Sequence, residues 1–411
     1  MSEFIRNNQQ RIDELVKFAS GMIEGRKGGE LIDQYRESIE AVSPALVVSM
    51  VDRIMQKDYT TSEIKKGINK VLNVFYKKLD VNRIELPKEK HYLYYLMEEN
   101  REMDERMKAA KDLIKRINRK EDNHEALETL KSLLLQKVKD FEKFNTHYVN
   151  KENILFPYLE RVWPDYRCVN LMWSYHDDIR ESWKRLQELL LDKYMDLVDF
   201  NEEIGRFYFL VYTIMFREEA IIFPLAIKDF KRDDWWEMLQ QARENGFSFI
   251  DPPADDLHGK PEDEKQMEDE LQTEWNEESL VNLDSGSMSV QQLINLLNSL
   301  PVDITLVDED NKVQYFSSPR ERIFPRSKAV IGRDVNNCHP PESVHIVEAL
   351  IEDLRSGKKD RERFWIEMKG KFILIDYYAL RDQQGNYKGV IEVTQDATDI
   401  RKLRGEKRLM D

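Results

Sequence analysis

His147–Leu159, HYVNKENILFPYL, is echoed further along the chain at Ile214–Ala226, IMFREEAIIFPLA. Aligned on their Phe-Pro pairs, Phe156-Pro157 and Phe223-Pro224, the two stretches lie 67 residues apart. Ile154 then falls on Ile221 and Glu152 on Glu219, whereas His147 falls on Ile214 and Lys151 on Glu218. The same helix is written twice, with a histidine and a lysine in one copy and a carboxylate in the other.

Working outward, helical periodicity predicts four long helices near residues 91–117, 123–159, 169–191 and 200–227, broken at NRKED, WPDYR and DKYMDLVD. Four such helices with modest loops predict an up-down bundle. Phe144, His147, Lys151 and Ile154 share one helix face. Trp173, His176, Ile179 and Trp183 share a second, and Phe207, Val211, Ile214, Glu218, Ile221 and Leu225 a third. Stripes with this spacing face an interior, so His147, His176 and Glu218 are expected inside the bundle. An ionised carboxylate there costs several kcal/mol unless it is paired or bound to metal. Imidazoles and a carboxylate projecting from facing helices are the donor set of an iron site in a bundle. The opposing reading is a buried Lys151–Glu218 ion pair with the histidines hydrogen-bonded around it. In a regular helix Glu152 lies about 140° round from His147, so it joins the site only if the helix is distorted.

The chain has 411 residues, more than one ordinary core, and predicts two or three domains. Charged residues make up 34% of it and the net charge is −15, which argues against non-specific nucleic-acid binding. No apolar run approaches the roughly 20 residues of a membrane span, and the N-terminus lacks a signal-peptide core. Two cysteines far apart, Cys168 and Cys338, predict no disulfide framework and a cytoplasmic location.

Five segments are expected. Residues 1–83 form a small helical domain, with Thr60 to Glu63 as the cap of one helix, and 84–235 hold the bundle. Residues 236–288 are read as an acidic linker, 289–400 as an α+β domain, and 401–411 as a basic tail. In the α+β domain two short strands flank an Asp-Glu-Asp-Asn turn, a helix ends at Gly357, and three strands follow with turns at Gly370 and Gln383–Asn386. His124, among Glu121, Asp122 and Glu125, reads as a solvated cap residue, and His258 in the acidic segment as idle. No nucleophile elbow, P-loop or dinucleotide fingerprint is present, and no catalytic residue is assigned.

Residues 91–227, through KHYLYYLMEEN, HYVNKENILFPYLE, WSYHDDIRE and FREEAIIFPLA, resemble a hemerythrin-type (HHE cation-binding) domain. The resemblance covers about a third of the chain. It implies a non-haem iron centre, mono- or di-nuclear, with His91, His147 and His176 as ligands and Glu218 as a bridging carboxylate. Glu152 is the nearest acid to the family's second glutamate, whose place is taken by Lys151, and Ile214 stands where the family has a histidine. Residues 290–400 resemble a PAS sensor domain through LPVDITLVDEDNKVQYFS, IGRDV and GVIEVTQDATDI. In that family a haem takes its axial histidine from the long helix, which makes Cys338, His339 and His345 candidate haem ligands. The first 80 or so residues resemble a helical domain of unknown function often found ahead of this pairing, without the Cys-Asp-Val-His stretch that domain commonly has.

The expected molecule is multidomain: an all-α N-terminal region with a hemerythrin-like four-helix up-down bundle, then an α+β PAS domain. The expected function is redox, gas or iron sensing, with a metal ion and a diatomic gas or redox ligand as inputs and a downstream protein partner as output. The alternatives are a non-haem iron enzyme acting on peroxide or nitric oxide or repairing iron–sulfur clusters, and a scaffold with a degenerate metal site. Helix SVQQLINLLNSL has more apolar surface than one small domain covers, which predicts a homodimer.

Overall fold

The computed structural model describes residues 2–81, 91–119, 124–163, 165–251, 280–320, 322–339, 343–368 and 370–406, together with 83 and 87. It divides into two compact units, residues 1–253 and 254–411.

The described residues of the first unit form helices joined by turns and short coils, with no strand among them. Its leading helices are α1 (Ser2–Ile23), α2 (Gly28–Gln34), α3 (Arg36–Glu40), α4 (Pro44–Met55) and α5 (Thr61–Asp80). Ser43 caps α4 ahead of Pro44, and Thr60 and Glu63 form the reciprocal capping box expected for α5. The bundle follows. Its first helix is α6 (Tyr92–Asn118); its second is built of α7 (His124–Phe141), α8 (Asn145–Asn150) and α9 (Phe156–Val162). The third is α10 (Arg167–Leu191), and the fourth is α11 (Leu197–Arg217) with α12 (Phe223–Asp229). Asp196 starts α11 by accepting from the amides of Val198 and Asp199.

The leading helices are not a separate domain. Lys65 on α5 pairs with Asp178 on α10 at 2.8 Å, with both side chains largely buried. Asp52 on α4 accepts from the Arg167 amide at 3.1 Å, and Ser49 donates to Asp165. Nor does the acidic linker begin at residue 236. Helix α13 (Arg232–Asn245) carries buried Trp235, Met238, Leu239 and Ala242, and beyond it Phe247 packs on Tyr95 and Phe249 stacks on Phe144. The aromatic residues of this segment outweigh its charge and bring it onto the bundle. Residues 252–279, with His258, lie outside the described residues, as does the side chain of His124.

In the second unit a hairpin, β1 (Leu280–Leu283) and β2 (Gly286–Ser289), precedes α14 (Val290–Ser299). This hairpin also falls in the segment expected as linker. A five-stranded antiparallel sheet then runs in the order β4-β3-β7-β6-β5, from β3 (Asp303–Val307), β4 (Val313–Phe316), β5 (Arg361–Met368), β6 (Lys371–Arg381) and β7 (Tyr387–Asp396). Ile304 pairs with Val393 and Phe364 with Ile375. Asn311 takes the left-handed conformation in the predicted Asp308–Asn311 turn. Helix α15 (Val344–Arg355) closes the core through Ile351, which packs with Val307, Val313, Val330 and Val335. Of the basic tail, residues 407–411 lie outside the described residues.

Gly67 tests the packing of the leading helices. A Cβ there would stand 2.2 Å from Cγ1 and 3.1 Å from Cα of Ile23, so α5 reaches α1 only because position 67 has no side chain. Gly67→Ala is expected to destabilise the first unit by about 1–3 kcal/mol, an overpacking cost, read as a lower urea midpoint. An unchanged midpoint would mean that the close approach is absent.

Candidate functional site in the bundle core

The two Phe-Pro stretches both leave the α-helical path. Residues Lys151–Leu155 and Glu218–Ile222 are π-turns, in which the amide of Phe156 reaches the Lys151 carbonyl and that of Phe223 reaches the Glu218 carbonyl. Pro157 and Pro224 supply the cause. Each lacks an N–H and its ring crowds the carbonyl four residues earlier, which a widened turn relieves. The extra residue in the turn brings Glu152 inward, and it is only 4% exposed. The distortion on which its participation depended is present.

Glu218, 1% exposed, sits at the centre. Its Oε1 accepts from the Lys151 ammonium in a close ion pair between the two aligned positions of the echo. Its Oε2 accepts from Asn100 Nδ2 at 3.1 Å and faces His147 Nε2 at 3.5 Å. His147 Nδ1 lies 2.8 Å from Glu99 Oε2. The other oxygen of Glu99 accepts from the Ser248 amide, and Ser248 Oγ accepts from the His147 amide at 3.0 Å. His176 Nδ1 lies 2.8 Å from Glu152 Oε1, while Glu152 Oε2 accepts from Arg180 at 2.9 Å. Tyr148 stacks on His176 with ring centres 4.4 Å apart, and the Lys151 ammonium lies 4.7 Å from the Tyr148 ring centre. His176 Nε2 is buried and has no hydrogen-bond partner among the described residues.

Burial pushes the Glu218 carboxyl up, but the ammonium of Lys151 and then His147 outweigh it and hold the group well below the usual carboxylate range. Burial pulls the Lys151 ammonium the other way, against the attraction of Glu218. Burial first, then the charges of Lys151 and Arg180, drive His176 far below the ordinary imidazole range, so its ring is neutral.

The sequence reading placed His147, His176 and Glu218 on inward faces, and the structure buries these three together with Glu152. That reading misplaced His91. That residue caps α6, with Nδ1 accepting from the Leu93 amide at 3.2 Å and its ring packed on Trp235, and it makes no hydrogen bond to the other four. It missed Glu99, Asn100 and Ser248. Asn100 lies in register with Leu96, Met103 and Met107, a signal that was available; Ser248 fell in the presumed linker.

The residues do not fit a di-iron centre. Among the described residues, no three of His, Cys, Asp and Glu converge closely enough to hold a metal ion. The second carboxylate and the fourth-helix imidazole are replaced by Lys151 and by buried Ile214. The positive charge against Glu218 is an ammonium.

The haem candidates separate as well. His345 is exposed on α15. Cys338 is half-buried against the valine core, with its thiol 3.6 Å from the Asp334 carbonyl. His339 is half-buried, and burial lowers its pKa, opposed by Glu392 and helped by Arg326.

His91 makes a pH prediction. Burial lowers its pKa from 6.5 to about 4, and protonation would turn the capping acceptor into a donor. The unfolded chain therefore binds a proton that the folded one refuses between those values. The stability that His91 contributes is complete above 6.5 and is lost as pH falls toward 4. His91→Asn, which keeps an acceptor without titrating, is expected to reduce the decline of the urea midpoint across that window. An unchanged decline would remove His91 as a cause.

Comparison with known proteins gives two family matches: a hemerythrin HHE cation binding domain over residues 91–226 and a PAS domain over residues 293–398. Curated proteins gave no match. Among solved structures, the C-terminal domain of a Streptococcus mutans protein is 35% identical over 31% of this chain and 100% of its own, with a TM-score of 0.30. The PAS domain of a Colwellia psychrerythraea protein is 16% identical over 27% of this chain and 98% of its own, with a TM-score of 0.23. A sensory box sensor histidine kinase from Vibrio cholerae is 16% identical over 26% of this chain and 90% of its own, with a TM-score of 0.20. Helical grammar, twin Phe-Pro turns and the five-stranded sheet thus meet in one assignment: the chain joins a hemerythrin HHE domain to a C-terminal PAS domain.

Proposed function

We propose that the chain is a signalling protein whose bundle is built around an internal cation, the Lys151 ammonium, and whose PAS domain is the ligand-binding or dimerising module. Hemerythrin and PAS domains in one chain support a sensor or signalling role. The observation that carries the finer reading is the Lys151–Glu218 pair, fully buried at the aligned positions of two π-turns. Redox, gas or iron input, a downstream protein partner and a cytoplasmic setting belong to the same proposal. Neither cysteine is in a disulfide, and no helix among the described residues is long and apolar enough to cross a membrane.

A second reading, one metal ion in the bundle, is favoured by a different observation. Both imidazoles are tied at Nδ1 to a carboxylate, and His176 Nε2 is buried without a partner among the described residues. Metal-bound histidines are oriented in this way. In that reading His147, His176 and Glu218, which do not converge on one point here, would have to draw together around the ion, while Glu99 and Glu152 orient the rings. A ferrous ion held by such a two-histidine, one-carboxylate set would supply open positions for a gas or peroxide.

Removing one partner of a buried pair costs about 3–5 kcal/mol. Glu218→Gln and Lys151→Met are each expected to lower stability by about that much, and the double variant to recover most of it. Iron measured in protein from iron-supplemented cells is expected to be substoichiometric in every case. One iron per chain, lost in Glu218→Gln, would overturn the internal-cation reading in favour of the metal.

We also propose that the PAS unit forms a homodimer through α14. That helix has no buried residue; Ile294 and Leu296 on it, and Leu300 just after it, stay at least 41% exposed. Trp365 on the sheet is 62% exposed. Replacing Leu296 and Leu300 by Glu is expected to give a folded monomer by light scattering. A native protein that is already monomeric at micromolar concentration would end this proposal.

A further inference from the structure

Arg217 immediately precedes the Glu218 π-turn but serves none of the contacts described for the bundle centre. It lines a cavity of about 30 Å³ between the leading helices and the bundle. It is 4% exposed. One Nη donates to Asn69 Oδ1 at 2.5 Å, and the guanidinium lies 4.1 Å from the Tyr175 ring centre. Its Nη1 is buried with no hydrogen-bond partner among the described residues. No carboxylate among the described residues pairs with it: Asp178 is taken by Lys65, Asp52 by Arg167 and Glu218 by Lys151. The remaining walls are mainly apolar, with Val51, Leu72, Met172 and Ile221 among them.

A guanidinium withdrawn from water without an anionic partner is costly. No described neighbour provides one. Burial raises the Cys168 thiol and the Tyr175 phenol above their ordinary values, so both stay neutral. The space available is that of about two waters, which limits an occupant to a few atoms.

We propose that this cavity binds a small monovalent anion, of the size of chloride, nitrite or formate, with Arg217 as its counter-charge. The guanidinium supplies the positive charge, and the apolar walls exclude larger or more strongly hydrated ions such as sulfate. Two-oxygen anions match the planar donor fork of arginine. Val51 and Leu72 come from the leading helices and Ile221 from the π-turn, so an occupant touches both parts of the first unit. The site does not depend on which reading of the bundle centre holds.

The test is chloride-35 NMR on the full chain. The wild-type protein is expected to broaden the chloride line saturably, and added formate or nitrite, but not sulfate at equal ionic strength, to reverse the broadening. Arg217→Met is expected to remove at least nine-tenths of the effect. Val51→Leu keeps the charge and fills part of the cavity, so it should weaken binding several-fold and carries the test should Arg217→Met fail to fold. Equal broadening by wild type and a folded Arg217→Met, or by wild type and Val51→Leu, would overturn the proposal.

Discussion

The Lys151–Glu218 ion pair is the constraint around which the bundle is arranged. Two opposite charges with no access to solvent persist only when their remaining valences are satisfied. Asn100 and His147 satisfy those of Glu218, and Tyr148 lies beneath the ammonium. His147 is in turn fixed by Glu99, and Glu99 by the amide of Ser248. One central pair thus accounts for buried polar residues on three helices and for the return of the chain after α13 onto the bundle.

The helical architecture was legible because helix periodicity over long segments is a strong signal, and the capping box at Thr60 and the turns at Asn311, Gly370 and Gly385 are local chemistry. The boundary at residue 236 was not legible. A charge-rich stretch suggests solvation, yet Trp235, Phe247 and Phe249 in or beside it find partners that lie 90 or more residues away in sequence. Composition cannot report partners that distant.

In the site, face assignment placed His147, His176 and Glu218 correctly, because each sits in a regular stripe. His91 misled because it stands at a helix start, where a side chain can fold back to cap rather than project inward. Family likeness gave the residue and not its direction. His345 stands on the expected helix, exposed and off the face carrying Ile351 and Leu354.

Each Phe-Pro turn holds one residue more than a regular helix would, and this makes length itself informative. Deleting a residue between Lys151 and Leu155 would relax the segment toward an α-helix and rotate everything before it by about 100° relative to everything after it. Glu152 would leave the interior, and the imidazole of His176 would lose the acid that fixes its tautomer. In comparing relatives of this bundle, a single-residue gap beside the Phe-Pro pair is therefore a change of charge in the core, even where every aligned residue is the same.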